Sequence, residues 1–179
     1  MDSKNQVKSK QRVTDHGEVY TSEREVNAML DLVKQETERI DARFLEPACG
    51  NGNFLAEVLR RKLTVVESMY KRNQLDFERY TILAISNIYG VDILEDNAQE
   101  CRERLYDIFN QRYTKIYRES CKESCRNSVP DPINFLVLSL ATKQQLWRYL
   151  TRSAKRNWNL LLNVHIKNLR ITFRHMTRR

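Results

Sequence analysis

The stretch FLEPACGNGNFL, Phe44 to Leu55, restricts the possible folds more than any other part of the chain. An apolar run closed by proline leads into two glycines one residue apart and then into a second apolar segment, the order of strand, tight turn and helix. Glycine is scarce, since Gly17, Gly50, Gly52 and Gly90 are the only four, and two of them fall in this turn. A residue without a side chain belongs where backbone turns with positive φ or passes close to something.

The flanking sequence extends the pattern. Ser22 followed three residues later by Glu25 is a capping box, and Val26, Met29, Leu30 and Val33 repeat at helical spacing, which predicts a helix to about Arg39. Ala42 to Pro47 reads as a buried strand. A helix is predicted over about Asn53 to Tyr70 and another over about Leu75 to Asn87. Ile88 to Ile93 reads as a second strand, followed by a helix over about Asp96 to Tyr117. This alternation is that of an α/β domain with parallel strands.

Charge and glycine divide the chain unevenly. Residues 1–131 hold 21 Lys and Arg against all 23 Asp and Glu, whereas residues 132–179 hold ten Lys and Arg and no acid. No glycine follows Gly90. CRNSVPDP, Cys125 to Pro132, carries two prolines with Asn, Ser and Asp and reads as a boundary. The expected organisation is a mobile tail over 1–15, a ligand-binding domain over 16–131 and a basic segment over 132–179. No apolar run reaches membrane-spanning length, and the polar start MDSKNQVKSKQR has no apolar stretch of a secretory signal, so a cytoplasmic protein with no membrane partner is expected. Cys49, Cys101, Cys121 and Cys125 are then expected as free thiols.

The loop chemistry narrows the ligand. A turn at the carboxyl end of a parallel strand is expected to present free backbone N–H groups to a ligand. A dinucleotide fingerprint needs a small residue where Leu55 stands, and a P-loop needs a Lys absent from this loop. Glu46 at the strand's end repels a pyrophosphate and attracts an ammonium. Asp92, ending the second strand, stands where an acid takes ribose hydroxyls. A nucleoside bearing an amino-acid moiety satisfies both acids, and the implied ligand is S-adenosylmethionine.

LEPACGNGNFL resembles the cofactor-binding motif of S-adenosylmethionine-dependent, adenine-specific DNA methyltransferases of restriction–modification systems. GEVYTSEREVNAML resembles their N-terminal cofactor segment, with Ser22 where proline is usual, and IYGVDI resembles the segment that ends in the ribose-binding acid. The resemblance spans about 80 residues. It implies a class I methyltransferase-like (Rossmann-like) open sheet, incomplete in this chain, with cofactor contacts from Tyr20, Thr21, Glu46, Ala48, Gly50, Gly52, Asn53, Phe54 and Asp92. DNA and other restriction–modification subunits are the implied partners.

The family's catalytic motif, Asn or Asp, two prolines and an aromatic, has no match. Asp131-Pro132-Ile133-Asn134-Phe135 lacks the second proline and places Phe one position late, so no catalytic residue is assigned and the string reads as a turn. The basic segment reads either as a short DNA- or partner-binding extension or as the product of a truncated or frameshifted methyltransferase gene; a non-catalytic nucleic-acid-binding or regulatory module using that segment is the competing reading, with Trp147, Tyr149, Trp158 and Phe173 available to stack bases. A methyltransferase acting on RNA or protein is a remoter one. Cys121, Cys125, His165 and His175 miss the usual zinc spacings, and no metal is expected. Cys49 reads as a small packing residue, and Tyr20 and Phe54 as either cofactor contacts or core aromatics.

Overall fold

A computed structural model describes residues 7–140 and 145. In chain order the elements are α1 (Lys10–His16), α2 (Glu23–Asp31), α3 (Lys34–Thr37), β1 (Phe44–Glu46), α4 (Asn53–Tyr70), α5 (Gln74–Ile85), β2 (Ile88–Asp92), α6 (Glu95–Tyr117), a 3-10 turn (Arg118–Ser120), α7 (Glu123–Ser128), α8 (Pro130–Leu136) and β3 (Val137–Ser139). The described chain is mixed α/β and mostly helical. Its three strands form an open parallel sheet in the order β1-β2-β3, with Leu45 opposite Tyr89, Gly90 opposite Val137 and Asp92 opposite Ser139. Glu46 and Asp92 therefore lie at the carboxyl ends of neighbouring strands.

The helices form where apolar residues repeat at helical spacing. On α4, Leu55, Val58, Leu59, Leu63 and Val66 are all fully buried, and on α6 Ala98, Cys101, Leu105, Phe109 and Tyr113 make the facing stripe. Asn73 caps α5 through its side chain, which accepts from the Asp76 N–H. The opposite face of the sheet buries Leu45 and Val91 with Tyr89, Ile93 and Leu140 packed against them, as parallel strands require on both faces.

One buried residue is polar for a structural reason. The Lys62 side chain on α4 is fully buried, and its ammonium donates to the carbonyls of Ile40, at 3.0 Å, and Ala42. It ties the helix to the chain entering β1. Burial pushes its pKa down to about 7.

Three sequence expectations change. The helix expected from Ser22 to Arg39 begins at the capping box but breaks at Leu32–Val33 into α2 and α3. Neither Gly nor Pro marks that break, and Val26, Leu30 and Thr37 stay buried across it, so the spacing alone does not locate it. The stretch read as a domain boundary is a helical junction instead. Pro130 opens α8, a first-turn position where a missing N–H costs nothing, and Val129, Ile133 and Val137 join the main core. The fold therefore continues past Asp131 to at least Leu140, and β3 belongs to the sheet. The polar stretch read as an N-terminal tail contains α1, capped by Ser9 and ended by Gly17.

Among the described residues no helix is long and apolar enough to cross a membrane. The aromatics Trp147, Tyr149, Trp158 and Phe173 of the basic segment, and His165 and His175, lie outside the described residues.

Candidate functional site at the carboxyl ends of β1 and β2

The strand-to-helix turn is built on left-handed backbone. Gly50 has φ 51° and Gly52 φ 86°, values that side-chain-bearing residues rarely adopt. Space excludes a side chain as well. A Cβ on Gly52 would stand 2.6 Å from Cys101 Sγ, and one on Gly50 would stand 3.1 Å from the Tyr20 ring. The close approach of helix to sheet that a small residue gives in a dinucleotide fingerprint is met from the other side. Leu55 packs onto Gly90 of β2, where a Cβ would lie 2.7 Å from Leu55 Cδ1.

The expectation of free loop N–H groups is corrected. Ala48 N–H donates to Glu46 Oε1 at 3.4 Å, Cys49 N–H to Val91 O at 3.0 Å, Gly50 N–H to Asp92 Oδ2 at 2.8 Å and Gly52 N–H to Cys49 O at 2.8 Å. The reason is that the acid at each strand end takes one N–H, and the carbonyls of Val91 and Cys49 take the other two. A phosphate cradle needs converging unpaired donors, and here four of the five N–H groups between Ala48 and Gly52 are bonded within the protein.

The two acids dominate what remains. Asp92 is buried and accepts from Gly50 N–H and from Leu94 N–H, both at 2.8 Å, joining the loop to the start of α6. Glu46 is only 3% exposed and accepts one long bond, from Ala48 N–H. Burial pushes its carboxyl up to about 8; the Ala48 N–H opposes this and the Asp92 carboxylate adds to it. A carboxyl kept protonated by burial can lose its proton to gain a cation. The loop supplies one further acceptor, Asn51 Oδ1, which is buried and has no hydrogen-bond partner among the described residues.

The other sequence-assigned residues sort into two groups. Tyr20 packs its ring on Gly50. The backbone carbonyl of Thr21 accepts from Asn53 Nδ2 at 2.9 Å, and Asn53 Oδ1 accepts from Arg104 at 2.6 Å, so the Tyr20–Thr21 segment touches the turn at Gly50 and Asn53, while buried Gly52 faces Cys101. Ala48 is exposed on the same loop. Phe54, at 6% exposure, is a member of the main core. Cys49 and Cys101 are free and buried. A hydrogen bond with Cys101, together with burial, pushes the Cys49 thiol up, so it is an unreactive packing residue. Asp131 sits in the first turn of α8, ahead of the amino end of β3, whereas the site lies at the carboxyl ends.

The sequence reading missed a polar cluster beside the loop. Arg12 makes a two-pronged contact with Glu18 at 2.6 and 2.8 Å and reaches Asp96 at 2.6 Å, and Lys8 pairs with Glu100 at 2.6 Å. Asn97, 1% exposed, lies among them. Arg12 and Glu18 are six residues apart, but the contacts of Arg12 with Asp96 and of Lys8 with Asn97 span 84 and 89 residues, and no local pattern encodes such pairs.

No family model, curated protein or solved structure matches this chain.

Proposed function

We propose that this chain is the cofactor-binding part of an S-adenosylmethionine-dependent, adenine-specific DNA methyltransferase of the restriction–modification type, on an incomplete class I methyltransferase-like sheet. The observation that carries the reading is the pair Glu46 and Asp92 at adjacent strand ends, flanking a glycine turn whose N–H groups are already engaged. That arrangement disfavours a phosphate ligand and favours a cationic, hydroxyl-bearing one.

The donor set fits the cofactor. Glu46, ionising on binding, would hold the ammonium; Asp92, which keeps a lone pair on each oxygen beyond those bonded to Gly50 and Leu94, would take ribose hydroxyls; Asn51 Oδ1 offers a further acceptor. Tyr20, Thr21, Ala48, Gly50, Gly52 and Asn53 would complete the surface, with Phe54 supporting it from the core. When bound, S-adenosylmethionine supplies an electrophilic methyl group. The chain's own contribution is to fix that ligand's orientation, and a partner polypeptide would supply the missing catalytic motif and DNA reading. The test is calorimetric titration of S-adenosylmethionine into the full chain and into Asp92→Ala. Binding lost in the variant supports the reading, and equal affinity in both refutes it.

A second reading is favoured by the ten cations and no acids of residues 132–179 together with the missing motif. A non-catalytic nucleic-acid-binding module would bind DNA in a salt-dependent way and ignore S-adenosylmethionine.

A further inference from the structure

The partly buried cluster around Asn97 lies beside the site just described, and Tyr20 belongs to both. Tyr20 lies with its ring against Gly50, and its phenol oxygen stands 3.1 Å from Asn97 Oδ1 and 3.3 Å from Glu18 Oε1. Asn97 in turn donates from Nδ2 to Glu18 Oε1 at 2.6 Å, and its Oδ1 also accepts from Lys8 Nζ at 3.0 Å and from Arg12 at 3.1 Å. An amide is the side chain that can do both, since its NH2 donates to the Glu18 carboxylate while its oxygen, with two lone pairs, accepts from the donors gathered around it. An aspartate there would face Glu18 with like charge.

Gly50 is thereby gripped on two sides. Asp92 accepts its N–H, and the Tyr20 ring covers it. Asn97 belongs to the first turns of α6, the helix that follows Asp92 directly, so both grips are fixed to the same rigid element. Arg12 holds the Glu18 carboxyl below its ordinary range, keeping it an acceptor, and burial pushes the Tyr20 phenol up to about 12, keeping it a donor.

We infer that Asn97 is a positioning residue for the glycine loop, acting through the Tyr20 phenol to hold the ring on Gly50. The effect on ligand affinity rests on the reading given under Proposed function, whereas the effect on the loop does not. Amide hydrogen exchange of the ligand-free full chain tests it, read over residues 46–56 in the wild type, Asn97→Ala, Tyr20→Phe and the double variant. Tyr20→Phe keeps the ring and the core and serves if Asn97→Ala does not fold. Both single variants should speed exchange at Gly50 by about tenfold, and the double variant should be no faster than either, because both remove one contact. Arg12→Ala, which frees α1 but leaves the Tyr20–Asn97 bond, should change loop exchange much less.

Unchanged loop exchange in Tyr20→Phe would overturn the inference, as would multiplied effects in the double variant or an equal effect from Arg12→Ala. S-adenosylmethionine titrated into the same proteins separates the two claims. Affinity falling in step with loop exchange supports both. Affinity that stays constant while the loop loosens overturns the link to binding. A responsive loop in a wild type that binds no S-adenosylmethionine refutes the proposed function and leaves the positioning role standing.

Discussion

Replacing Gly52 by alanine separates two costs that the structure places on one residue. At φ 86° an L-residue is strained by about 1–2 kcal/mol. The new Cβ would also stand 2.6 Å from Cys101 Sγ and 3.3 Å from its Cβ. Because Cys101 is fully buried on α6, it cannot swing aside, and overpacking of this kind costs about 1–3 kcal/mol. Gly52→Ala should therefore destabilise by about 2–5 kcal/mol, or several degrees of melting temperature at about 2–4 °C per kcal/mol. Cys101→Ala alone loses one small buried group, about 1 kcal/mol. In the double variant the clash with sulfur disappears while the backbone strain remains, so the sum of the single effects should exceed the double by about 1–3 kcal/mol. Urea unfolding of the four proteins measures this. Additive effects would show that the loop does not pack on α6 as described and would refute the reasoning.

Two buried ionisable groups give opposite pH signatures. Lys62 has a folded pKa of about 7, below its ordinary 10.5, so between those values the unfolded chain holds the proton that the folded one has lost; stability rises with pH across that window by at most about 1.4 kcal/mol per unit, and Lys62→Met should flatten the rise in urea titrations. Glu46 is raised to about 8 from 4.5, so the folded chain binds the extra proton and stability falls between pH 4.5 and 8; Glu46→Gln should remove that fall. At pH 7 the same carboxyl should release up to about one proton on binding a cationic ligand, seen as a calorimetric heat that depends on buffer ionisation and is absent in Glu46→Gln. If the basic segment binds DNA, truncation after Leu140, which keeps the folded sheet, should abolish salt-dependent binding in a gel-shift titration; binding that survives truncation counts against the module reading.

The parts of the fold readable from sequence were those with local cause. The strand, glycine turn and α4 follow from apolar runs and punctuation between Phe44 and Tyr70, and α5, β2 and α6 from apolar spacing. Glu46, Gly50, Gly52 and Asp92 were legible because strand ends position them. Non-local effects were not. The break at Leu32–Val33 has no Gly or Pro to mark it. Pro130 and Pro132 read as stops when one of them starts a helix, because proline's meaning depends on which side of a helix end it occupies. The loop's N–H groups read as free because their partners, Val91 O and Asp92 Oδ2, come from another strand. Asn97 was invisible for the same reason, as its partners Lys8, Arg12 and Glu18 lie in α1 and the segments on either side of it.

In the proposed function the glycine turn holds a cationic nucleoside ligand between Glu46 and Asp92. The most direct measurement is calorimetric titration of S-adenosylmethionine into the purified chain, with Gly50→Val, whose side chain would meet both a left-handed backbone and the Tyr20 ring, titrated alongside. The account predicts saturable binding by the wild type and none, or a strongly weakened heat, in the variant. A folded wild type that binds no S-adenosylmethionine, or a variant that binds it equally well, would contradict it.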